Sequence, residues 1–145
     1  MAKVGIPLHN YHAMKTKLFT LIALVVLTTS AFTQTTTQLL DAQLNVTKNK
    51  SVAKFTRSIT KINESLFEVK INFQTGELMM SGTYLDETLA LAHGEFVYFF
   101  ANGIKESQGL YEAGQRVGAW QRWNFDGAQK SDRYYQEPMA LLSAK

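Results

Sequence analysis

The stretch that decides the fold is GEFVYFFANG, Gly94–Gly103, together with its echo GAWQRWNFDG, Gly118–Gly127. Both run from glycine to glycine, with aromatics between and Asn-Gly or Asp-Gly at the close. Written out further, GEFVYFFANGIKESQGLYEAG aligns with GAWQRWNFDGAQKSDRYYQEP at a constant offset and without a gap. Gly94 falls on Gly118, Phe96 on Trp120, Phe99 on Trp123, Gly103 on Gly127 and Tyr111 on Tyr135. A third copy lies upstream in VKINFQTGELMMSGTY. There Val69, Ile71 and Phe73 match Phe96, Tyr98 and Phe100, Gly76 matches Gly103, Gly82 matches Gly109, and Tyr84 matches Tyr111. The longer connection LDETLALAHG absorbs the difference in spacing. A short period repeated in tandem signals an array of like units.

Each unit reads as a β-hairpin. In VKINF the apolar Val69, Ile71 and Phe73 alternate with Lys70 and Asn72, the period of a half-buried strand. Thr75-Gly76, Asn102-Gly103 and Asp126-Gly127 then mark reversals at Gly76, Gly103 and Gly127. Asn-Gly and Asp-Gly predict a two-residue type I′ turn, in which both central residues have positive φ. A half-polar return strand follows, as in IKESQGLY. Gly82 and Gly109 lie inside return strands, where glycine weakens a sheet unless something approaches the backbone closely. A large ring lying across each one is the predicted reason. The expected fold is all-β: an antiparallel meander of repeated hairpins in a single sheet, preceded by a signal-peptide helix.

Outward from the repeats the chain divides into expected segments. Residues 51–137 form the hairpin domain, with repeats at about 69–93, 94–117 and 118–137, and a further hairpin upstream turning at Asn63-Glu64-Ser65. Residues 34–50 are a lead-in, whose Leu39, Leu40, Ala42, Leu44 and Val46 suit either a short helix or an edge strand. Residues 138–145 open with a proline and leave the sheet as a tail that caps the last hairpin. Residues 1–33 comprise an extension and a signal peptide, with Met14 a candidate true start. From Met14, the basic Lys15 and Lys17 precede the apolar run Leu18–Leu27 and then Thr28, Thr29 and Ser30. That is the pattern of a cleaved secretory signal, too short for a membrane-spanning helix. Cleavage is predicted before Gln34, which sends the mature chain to the periplasm or outside the cell.

Of the 145 residues, 15 are Lys or Arg and 12 are Asp or Glu. Three of the basic residues, Lys3, Lys15 and Lys17, precede Gln34, so the mature chain carries 12 of each sign. With no excess of positive charge to neutralise phosphates, nucleic acid is not an expected partner. Cysteine is absent, which excludes disulfides, thiol nucleophiles and Cys-ligated metals.

The pattern Gly-x-aromatic, two residues, aromatic, then Asn/Asp-Gly and a return strand with Gly-x-Tyr resembles MORN-type repeats. It is most similar to the bacterial MORN-variant group, which includes antitoxin components of toxin–antitoxin modules. The resemblance covers roughly residues 69–135. It implies a repetitive antiparallel sheet that binds proteins or membrane surfaces, with no catalysis, cofactor or metal of its own.

Chemistry-bearing residues are sparse. His93 is the one histidine after Gln34, and with no cysteine it offers no metal set. Glu95 and Glu106 would have to meet across a hairpin to act as a carboxylate pair. Ser81, Ser107 and Ser131 have no histidine beside them to activate a hydroxyl. The aromatics carry more information. Trp120 and Trp123 are three residues apart, so they project to opposite faces of a strand. Those faces are either covered by the N-terminal segment or exposed as a stripe that binds something. The expected interaction surface is Phe99, Trp120, Arg122, Trp123 and Tyr135. Arg116, Arg122 and Arg133 would frame an acidic or carbohydrate-bearing ligand. A protein is the expected partner, with an envelope lipid or glycan as the alternative, and the sheet's free edges allow dimerisation.

Overall fold

The computed structural model describes residues 34–136. The segments expected to be a signal peptide and a C-terminal tail fall outside the described residues. Nine strands form one sheet: β1 Thr35–Leu40, β2 Val46–Thr47, β3 Phe55–Asn63, β4 Leu66–Phe73, β5 Leu78–Tyr84, β6 Ala92–Phe99, β7 Lys105–Glu112, β8 Gln115–Trp123 and β9 Gln129–Tyr135. Their order is β2-β1-β3-β4-β5-β6-β7-β8-β9, with every pairing antiparallel. The chain is therefore all-β, an antiparallel meander from β3 onward. Of the two readings left open for Leu39 and Leu40, the strand is the one formed. Thr35–Leu40 pairs with Phe55–Thr60 along its whole length, and Leu40 is fully buried.

The three repeats are the hairpins β4–β5, β6–β7 and β8–β9, and their turns are alike. The amide of Phe73, Phe100 or Asn124 donates to the carbonyl four residues on. The amide of Gly76, Gly103 or Gly127 donates back to that same first residue. Only the glycine of each turn has positive φ (+104°, +79° and +87°). This corrects the type I′ expectation: each loop has three residues, a type I turn closed by a left-handed glycine. The Asn and Asp side chains act differently from the expectation too. Asn102 Oδ1 accepts the Ile104 amide at 3.1 Å and Asp126 Oδ1 the Ala128 amide at 2.9 Å, so they brace the turn from outside. The two-residue geometry occurs instead between β7 and β8. There Glu112 pairs with Gln115, and both Ala113 and Gly114 have positive φ (48° and 81°).

A second irregularity repeats. Opposite Gly82, between the Ser81–Val97 and Thr83–His93 pairs, stand three residues, Gly94, Glu95 and Phe96. Opposite Gly109, between Gln108–Gln121 and Leu110–Val117, stand Gly118, Ala119 and Trp120. Each bulge starts at a left-handed glycine, Gly94 or Gly118, and re-aims the ring that follows. Phe96 lies directly over Gly82, and Trp120 over Gly109. A Cβ on either glycine would sit 2.4 Å from ring carbons. The interior glycines thus do what the sequence predicts.

The core lies on one face of the sheet, built from Leu40, Val69, Ile71, Met80, Ala92, Phe96 and Trp120. Toward the C-terminal end it becomes an aromatic ladder. Ring centroids step from Tyr84 to Phe96 (5.4 Å), to Tyr111 (4.5 Å), to Trp120 (5.3 Å) and to Tyr135 (6.0 Å). Each such pair adds about 0.5–1.5 kcal/mol beyond simple area burial.

Candidate functional site

The ladder ends in a groove of about 240 Å³ on the core face of β6–β9, lined by Tyr98, Glu106, Ser107, Arg116, Trp120, Arg122, Trp123, Lys130, Arg133 and Tyr135. Register explains how these residues meet. The tight Ala113–Gly114 reversal pairs Arg116 with Tyr111, and beyond the bulge Arg122 pairs with both Ser107 and Lys130. Arg133 pairs with Trp120.

Arg116 forms the roof. Its guanidinium carbon stands 4.2 Å from the Trp120 ring centroid and 5.7–5.9 Å from those of Tyr98, Tyr111 and Tyr135. Its Nε donates to the Tyr111 hydroxyl and Nη1 to the Tyr135 hydroxyl, both at 3.1 Å. Trp120 Nε1 donates to the Leu110 carbonyl at 3.2 Å, so its one polar atom is satisfied. Hydrogen bonds from Arg116 and then Arg133 hold the Tyr135 phenol below its ordinary range. Burial, followed by the Tyr111 hydroxyl 3.5 Å away, pushes Tyr98 up.

Four cations, Arg116, Arg122, Lys130 and Arg133, share this groove with one carboxylate, Glu106. Among the described residues none of the four makes a salt bridge. The ion pairs present there, Lys61–Glu64 and Lys70–Glu68, lie elsewhere. Arg122 and Lys130 are direct cross-strand neighbours, an arrangement of like charges that costs stability. The even balance of charge from Gln34 onward therefore hides a segregated positive patch.

The expected surface residues divide. Trp120 is only 1% exposed, so its place is in the core, a correction that follows from the bulge turning its ring onto Gly109. Arg122 and Tyr135 are half-buried groove residues, and Trp123 lines the groove with Lys105 Nζ 5.1 Å from its ring. Phe99 is half-buried beside Lys105 and takes no part in the groove. Gly76, Gly103 and Gly127 all sit at tight reversals. Glu95 and Glu106 do not converge. Glu95 faces the opposite side of the sheet, bonded to Gln108 and lining a different groove with Leu110 and Asp132. Ser81 pairs with Val97 and Ser107 with Tyr98, again opposite faces. His93 Nδ1 is buried without a hydrogen-bond partner among the described residues, and no set of metal-ligating side chains forms there.

The sequence pattern missed Tyr98 and Lys130 as groove residues, and Arg116 as the roof. The Ala113–Gly114 pair was the available signal. Recognised as a two-residue loop, it fixes the register that brings Arg116 onto Tyr111.

Comparison with family models, with curated proteins and with solved structures finds no match.

Proposed function

We propose that this chain is a non-enzymatic, MORN-like repeat protein that works as a binding module, exported to the bacterial envelope and engaging a protein partner through the groove on β6–β9. The observation that carries the reading is the set of four cations that have no carboxylate partner among the described residues, held over the buried core. Arg116 and Arg133 bond only to neutral phenols, and Arg122 and Lys130 stand side by side where like charges cost stability, so the groove's positive charge calls for an external anion. The exported setting rests on the segment Met14–Thr33, and the repeat assignment on the triplicated glycine-and-aromatic motif.

A lipid or glycan surface, or the role of an antitoxin-like component, is the alternative. The lipid and glycan readings draw less support. Phe96 and Trp120 are each 1% exposed and Arg116 covers the indole of Trp120, so these two rings are closed to a stacking sugar or a bilayer.

The test is affinity capture from envelope extract with partners identified by mass spectrometry. An Arg122→Glu, Arg133→Glu double variant should lose a partner that Lys48→Glu, at the far end of the sheet, retains. Equal capture by both variants would remove the groove from the account.

A further inference from the structure

The repeat itself shows what should come next to β9. At each internal joint a return strand offers a glycine, Gly82 on β5 or Gly109 on β7, and the following strand lays a ring over it. The same repeat position on β9 is Arg133. No ring can settle there as Phe96 and Trp120 do, because a long charged side chain already fills the place. Yet β9 has seven residues, and its second edge has no strand partner among the described residues. The other end of the sheet differs: β2 has two residues, little for a visitor to pair with. Beside the open edge stand Lys130 and Arg133 on β9 itself, with Arg122 and Arg116 one strand inward.

We propose that β9 receives an extended acidic peptide from a partner protein as a tenth, edge-added strand, with a carboxylate opposite Arg133 on the core face and the next alternate carboxylate meeting Lys130, which the register shift on β9 brings to the same face. This deepens the reading of the groove as a protein-binding site and rests on it. Strand addition draws affinity from backbone hydrogen bonds and specificity from alternate side chains. The peptide's alternation must match the pleat, because every second residue of an added strand faces the cations. Arginine suits the task, since its planar fork binds a carboxylate through two parallel hydrogen bonds. Where an internal joint selects an aromatic by offering a glycine, the terminal joint selects an acid by offering a guanidinium. The like-charge neighbours Arg122 and Lys130 are relieved when carboxylates arrive.

The experiment is fluorescence anisotropy of the mature chain with a labelled synthetic peptide alternating Glu and Thr. Three comparison peptides are used: Gln in place of Glu, the same composition with the glutamates in one block, and alternate backbone amides methylated. The alternating peptide should bind, and each comparison peptide should bind at least about tenfold more weakly. Arg133→Gln and Arg122→Gln should each weaken the alternating peptide by about tenfold, with Lys48→Gln unchanged. Circular dichroism confirms that each variant keeps its sheet. Absence of binding, indifference to Arg133→Gln, or full binding of the methylated peptide would overturn the proposal. If the peptide fails while extract capture still depends on Arg122 and Arg133, the binding module stands and only the acidic-strand ligand falls.

Discussion

The hairpins β6–β7 and β8–β9 share a turn, a bulge glycine and a buried ring, and they differ most at one position. β7 carries Gly109 where β9 carries Arg133. Around Gly109 the sheet closes: Trp120 crosses the backbone, Tyr111 meets its edge and Arg116 seals the top. Around Arg133 the sheet is charged, and β9 has no second strand partner among the described residues. Among the described residues, the unit thus carries a covering ring where it offers a glycine and forms the last strand where it offers an arginine.

The largest effect expected is at the closed joint. Gly109→Val should cost about 3–5 kcal/mol in urea unfolding, because the Trp120 ring must leave its seat and a comparable loss accompanies deletion of a buried aromatic. A cost below about 1 kcal/mol would mean that the ring does not rest on the glycine. Gly103→Ala sharpens the point by separating sterics from backbone. No atom lies within 4 Å of a Cβ there, but φ is +79°, so the cost should be about 1 kcal/mol and come from conformation alone. Alkaline titration tests the roof. Tyr84 and Tyr98 have raised pKa values in the folded chain, chiefly through burial. Their contribution to stability is present below pH 10 and is lost as pH rises through their folded values. Tyr135 is shifted the opposite way, so its anion favours the fold, an effect that appears as pH climbs through its lowered value and is full above 10. Ultraviolet difference spectra should show one phenol ionising early, and Arg116→Gln should return it toward the ordinary range. The smallest effect is at the two-residue loop. Ala113 holds φ at 48°, and Ala113→Asn should stabilise by about 0.5–1 kcal/mol, read from the unfolding midpoint.

Much of the architecture was legible because it is written three times. The spacing of Gly76, Gly103 and Gly127 located every hairpin reversal of the repeats, and the interior glycines announced the rings that lie on them. Turn type was not legible, since Asn102-Gly103 suits a two-residue I′ loop and a three-residue loop equally until the flanking register is known. The lead-in stayed ambiguous because Thr35–Leu40 lacks a repeat partner, and its strand forms only by pairing with β3. Trp120 was misplaced on a surface because simple alternation takes no account of the bulge at Gly118. The groove was half legible: Arg122, Arg133 and Tyr135 stand out as charged and aromatic residues, but only pairing reveals that Lys130 is beside Arg122. Charge totals could not reveal the patch, since a neutral sum says nothing about which face holds which sign.

The ring-on-glycine contact has a consequence for how such a chain can change length. Excising residues 94–117 in frame would bring the Gly118 bulge to the position that Gly94 now holds, and Trp120 would then cover Gly82. The product would be a shorter ribbon that keeps Arg122, Lys130 and Arg133 on its last hairpin but loses Tyr98, Glu106, Ser107 and Arg116 from the groove, whereas duplicating that stretch would give a longer ribbon with the groove whole. The contact works as a standard coupling, so units can be added by duplication while the last two hairpins, and the groove they share, are inherited intact.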